Sequence, residues 1–211
     1  MTIWMIPVLL AVSALGGIKS ICAVRLWTGE ESDGIPLWRN KTLYVFWGVW
    51  ASFYGLVWLM AGKAVKPVQT ADLLCTYGIL AVIDKRRRIV PHKILTCFFA
   101  GQMLLGVLWR APADLMRSCL AGGGLAILFL IAGWFSRGKV GWGDIKLLGI
   151  TAITAGWEYT LNVFVLSLFL SFVYSLYLIA FQKKSLATEF PFVPFLAAAA
   201  ALQMVIAAKT G

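Results

Sequence analysis

Eight apolar stretches run through this 211-residue chain, at approximately 3–24, 42–61, 69–84, 93–109, 114–135, 144–156, 159–181 and 192–208. A helix crossing the hydrocarbon core of a bilayer needs about 20 such residues, and most of the stretches come close to that length. The sixth is short, about 13 residues or roughly 20 Å at helical rise. It is expected to start below the interface or to border a water-filled cavity. Apolar types make up 61% of the chain and charged types 13%, and the mean hydropathy is +0.84. A soluble domain of this length would be roughly 45–50% apolar and about 25% charged. One small core cannot bury the excess, so the composition excludes both a soluble globular protein and a disordered one. The expected fold class is all-α: a polytopic membrane helical bundle of about eight transmembrane helices.

Lysine and arginine then set the orientation. Thirteen of the nineteen basic residues fall in one set of alternate loops: Arg25, Arg39 and Lys41; Lys85 to Arg88 and Lys93; Arg137, Lys139 and Lys146; Lys183 and Lys184. The opposite side carries Lys63, Lys66, Arg110, Arg117 and Lys209, while Lys19 lies within the first helix. This bias places the first set in the cytoplasm and both termini outside it, in a cytoplasmic (inner) membrane. Trp38, Trp109, Trp142 and Trp157 fall near the expected interfaces, as amphipathic rings do. The first stretch has no basic residue ahead of its apolar run and reads as a retained helix, not a signal peptide.

The net charge of +10 does not point to nucleic acid, because the cations lie between spans and do not form one soluble patch. Cys22, Cys75, Cys97 and Cys119 are far apart in sequence, with no CxxC and a single histidine, His92. That leaves no donor set for zinc, and neither a metal nor another cofactor is expected.

With only nine acids, each can be weighed. Glu30, Glu31 and Asp33 read as solvated loop charges. Asp72, Asp114, Glu158 and Glu189 sit at span ends and read as interfacial. Two remain. Asp84 ends the third stretch and precedes Lys85-Arg86-Arg87-Arg88, for which it could serve as an interfacial ion-pair partner. Asp144 stands in Gly141-Trp142-Gly143-Asp144 at the start of a helix, where it could be an N-cap. A GxGD string would arise by chance about 0.04 times in a chain of this composition, so it is suggestive without being decisive. The joint placement says more. Both acids fall at cytoplasmic ends of spans, and acids there are costly and often functional. Two converging carboxylates can share one proton, one acting as base on a water and the other as acid toward a carbonyl.

Three segments of the chain resemble the type IV prepilin peptidases, membrane aspartyl proteases of the GxGD class. Asp84 is followed seven residues later by Pro91 in DKRRRIVPHKI, GWGDIKLLG resembles the family's second aspartate motif, and FPFVPFLA at 190–197 resembles its PFxPF segment. The resemblance covers about residues 68–211 and implies a six-helix peptidase core there, with 1–67 as an N-terminal two-helix membrane region. It implies Asp84 and Asp144 as the catalytic pair, and Gly141 and Gly143 as positions where the backbone approaches them closely. Pro191 and Pro194 would expose backbone groups at the start of the last helix. Lys146, two residues past Asp144, should point well away from it, as a headgroup or substrate contact or a snorkelling lysine. The implied partners are type IV pilin-like precursors and the lipid bilayer. Long-form members carry a cytoplasmic loop with paired CxxC motifs that accompanies N-methylation. The loop here, about Arg25–Lys41, has none, so a peptidase without methyltransferase activity is expected.

Helix dipoles add an expectation about the proton. Asp84 at a helix C-terminus should keep it, and Asp144 at a helix N-terminus should be the base. Two other functions remain open. One is a protease similar to presenilin or signal peptide peptidase, although PFVPF stands where those have PAL. The other is a proton-coupled transporter, which would need titratable sites across the whole bilayer.

Overall fold

The computed structural model describes residues 5–28, 41–60, 66–135, 141–182 and 190–210. Within these it holds eight helices and no strand: α1 (Met5–Thr28), α2 (Lys41–Met60), α3 (Lys66–Arg87), α4 (His92–Trp109), α5 (Pro112–Phe135), α6 (Trp142–Ala155), α7 (Trp157–Gln182) and α8 (Val193–Thr210). Each apolar stretch of the sequence corresponds to one of them. The loop acids Glu30, Glu31 and Asp33, together with Glu189, Trp38, Arg39, Lys63, Arg137, Lys139, Lys183 and Lys184, lie outside the described residues.

Two helices, Pro112–Phe135 and Trp157–Phe181, are long and apolar enough to cross a membrane. Their outer faces carry exposed Leu120, Trp134, Phe135, Phe169 and Phe181. Exposed apolar surface of this extent is suited to lipid, not water. Polar groups lie inside instead. Thr151, Thr154 and Thr160 are buried and donate to carbonyls four residues back in or beside their own helices, which removes the cost of enclosing a hydroxyl.

The main core joins α3, α4, α6 and α8 through Tyr77, Leu80, Phe98, Leu147 and Leu196. α6 is held tightly against α5. A Cβ on Gly122 would fall 2.1 Å from the Ala152 carbonyl oxygen, so only glycine permits this backbone approach. At 14 residues, α6 is about 21 Å long. It ends at Gly156, whose φ of 103° allows the chain to turn directly into α7. The Arg110 guanidinium donates to the Thr154 carbonyl at 2.7 Å, placing a cation at that helix C-terminus.

α1 and α2 pack against α3 and α4 through Val8, Val12, Tyr54, Val68 and Leu105. Beside this cluster the structure corrects the sequence reading of Asp72. It is enclosed by protein: it is 0% exposed and ion-paired with Lys19, itself 1% exposed. Tyr54 Oη and Gln102 Nε2 also donate to the Asp72 carboxylate, and Lys19 Nζ donates to Thr76 Oγ1 at 3.0 Å. The ammonium also lies 5.7 Å from the Trp50 ring and 5.8 Å from that of Phe98, within cation–π range. One polar cluster thus ties four helices together. Asp114 and Glu158, in contrast, are exposed in the first turns of α5 and α7.

Candidate active site

The apolar run of α3 stops at Ile83, and the last turn of the helix is Asp84-Lys85-Arg86-Arg87. The three cations are exposed, whereas Asp84 is turned inward and 7% exposed. The helix closes at Arg88, whose N–H donates to the Asp84 carbonyl at 2.9 Å. Arg88 has φ of 53°, a left-handed closing position usually given to glycine. A non-glycine residue held there marks a segment fixed by its surroundings. The turn sends Ile89-Val90-Pro91 across the start of α6. Pro91, with φ −70° and ψ 126°, then precedes α4, where its missing N–H costs no helical bond.

The start of α6 is built to receive that segment. A Cβ on Gly143 would lie 2.5 Å from the Val90 Cβ, so any side chain there would push the two apart. A Cβ on Gly141 would lie 2.9 Å from Asp144 Oδ2, so glycine clears the space the carboxylate occupies. Gly141 flanks the helix and Asp144 lies in its first turn. Asp84, Arg88, Val90, Pro91, Gly141 and Asp144 all line one cavity of about 500 Å³. Asp84 is near enough to act electrostatically on Asp144. Sixty positions apart in sequence, the two carboxyls share one chamber.

Lys146 also lines the chamber. The cavity wraps around the first turn of α6, so residues on different faces border it. His92 and Trp142 complete the wall; neither was assigned to the site from sequence.

Pro191 and Pro194 flank the start of α8. Pro194 has no N–H, and the first turn of a helix leaves its donors without intrahelical partners. One of those donors serves the site: the Val193 N–H bonds to Asp84 Oδ2 at 3.1 Å, across 109 positions of sequence. A second backbone hydrogen bond comes from Phe192. Sequence reasoning had the proline signal but not the destination of the exposed groups.

These donors change the expected charge distribution. Each aspartate meets more than the dipole of the helix to which it belongs. In the structure, the N-terminus of α8 meets Asp84, and direct N–H donation stabilises a carboxylate anion. Asp144 receives no such bond from the described residues.

A type IV leader peptidase family model matches residues 72–176. Comparison with curated proteins and with solved structures gave no match. The matched segment contains both carboxylates, the turn at Arg88 and the glycines that admit Val90. By this match the chain belongs to the type IV leader peptidase family.

Proposed function

We propose that the protein is a membrane-embedded aspartic endopeptidase that removes leader peptides from type IV prepilin-like precursors at the cytoplasmic face of the inner membrane, without N-methylating the product. The observation that carries this reading is the placement of Asp84, in the last turn of α3, and Asp144, in the first turn of α6, on one cavity. Eight spans with both termini outside the cytoplasm, a peptidase core at 68–211 and an N-terminal pair at 1–67 complete the reading.

The two carboxyls divide the chemistry. Asp84, as the anion, takes a proton from a water held between them as that water attacks the scissile carbonyl. Asp144 gives its proton to the carbonyl oxygen. Asp84 then passes its proton to the leaving amine as the carbon–nitrogen bond breaks, and Asp144 recovers its own from the tetrahedral hydroxyl. No covalent enzyme intermediate forms. Exposed Lys85, Arg86 and Arg87 orient the cytoplasmic end toward anionic headgroups. A charged leader in water joined to an apolar helix in lipid presents its junction at this depth.

The test is incubation of the purified protein in liposomes with a pilin-like precursor and a methyl donor. A single cut before the apolar helix, yielding an unmethylated mature N-terminus by mass spectrometry, is expected. No cleavage, or a methylated product, contradicts the corresponding part of the proposal. The route of Ile89–Pro91 gives a second check. Gly143→Ala is expected to cut kcat by about tenfold or more by forcing Val90 away from the site. Adding Val90→Gly, which removes the opposing Cβ, should recover much of the loss. An uncompensated double variant would mean that this contact does not position the site.

A further inference from the structure

A second cavity, about 360 Å³, opens beside the first between α4, α5 and α6. Its floor is the face of α6 bearing Gly149 and Ile153. One wall is Thr96 and Phe99 of α4, and the other is Ala126 and Leu130 of α5. These positions recur at helical spacing and are apolar except for Thr96, whose hydroxyl already bonds the His92 carbonyl at 3.0 Å. Gly149 on the floor faces Ala126 in the α5 wall, where a Cβ on the glycine would lie 3.2 Å from the Ala126 Cβ, so small residues bring α5 and α6 together along the groove. The groove adjoins the aspartate cavity, with His92 and Lys146 bordering both.

That adjacency points to the occupant. A peptide bond held at Asp84 and Asp144 must send its two flanks along different routes. The charged flank leaves past exposed Lys85 to Arg87. The apolar flank needs a lipid-depth path that begins at the aspartates, and this groove is one. From Lys146 to Ile153 it follows seven residues of α6, about 10 Å or two helical turns. We propose that the α4–α5–α6 groove docks the first two turns of the precursor's apolar helix and so selects substrates by the segment after the cut. This rests on the peptidase reading above and extends it to a specificity surface.

The test uses Thr96→Trp and Leu130→Trp, which fill the groove from exposed positions, and Leu168→Trp, on the exposed face of α7, as control. Each is assayed in liposomes on the whole precursor and on a soluble peptide that spans the junction but lacks the helix. The groove variants should lose about tenfold or more in kcat/KM on the whole precursor, chiefly through KM, with the short peptide within about twofold of wild type. Leu168→Trp should change neither. A photoreactive benzoylphenylalanine at position 96, in an Asp144→Asn background, should cross-link to the precursor helix. Wild-type processing of the whole precursor by both groove variants, or adducts with lipid alone, would overturn the proposal. If the groove variants lose both substrates together, the cross-link decides. A wild-type protein that cleaves neither substrate contradicts the peptidase reading itself.

Discussion

Asp84→Asn and Asp144→Asn are each expected to lower precursor cleavage by about 10³-fold or more while leaving the helical fold intact. Asparagine matches aspartate in size but cannot take a proton from water at 84 or supply one to the carbonyl at 144. Folding should survive because the partners of each side chain remain satisfied. The amide oxygen of Asp84→Asn still accepts the Val193 N–H, and Asp144 borders a cavity on one side. Initial rates in liposomes, with thermal unfolding in detergent as the control for folding, separate the two effects. Cleavage at wild-type rates by either variant would remove that aspartate from the mechanism.

The second large effect concerns a site distant from the chemistry. Lys19→Met leaves the Asp72 carboxylate buried without its cation, and Asp72→Asn leaves the Lys19 ammonium without its anion. Breaking a buried pair from one side costs about 3–5 kcal/mol, because a desolvated charge remains behind. In a protein of this size that corresponds to a loss in Tm on the order of 10 °C. The double variant Lys19→Met, Asp72→Asn carries neither charge and keeps an acceptor for Tyr54 and Gln102, the other donors to this carboxylate. It should recover most of the lost stability. Because the pair links α1 to α3 across 53 positions, the single variants should also expose the α1–α2 hairpin to protease first. Equal unfolding temperatures for wild type and both single variants would show that the pair does not hold this hairpin in place.

The two regions differ in how far sequence alone could reach them. Helices were legible because each is a long apolar run closed by charge, glycine or proline: Gly156 ends α6, and Pro112 stands at the start of α5. Asp84 and Asp144 were legible as candidates because each stands at an end of an apolar run and is flanked by unusual residues, the cationic turn and the two glycines. Asp72 was misread. It follows polar residues at the start of α3, which is also how an interfacial acid looks, and its partner lies on another helix. Lys19 offered the matching signal: one cation inside an apolar helix calls for a buried anion. The hydrogen bond from Val193 to Asp84 was not legible at all, since no local pattern records where the start of α8 docks. For the same reason the dipole argument assigned the proton to Asp84, whereas the donors of α8 favour an anion there.

The central claim is that Asp84 and Asp144 act as one unit on one water. Residual cleavage by the double variant Asp84→Asn, Asp144→Asn, compared with each single variant in the same liposomes, measures this most directly. If the carboxyls are two halves of one device, removing the second after the first costs almost nothing, and all three variants share one residual rate. Losses that multiply from the single to the double variant would mean that the two aspartates contribute independently, which contradicts a shared catalytic site.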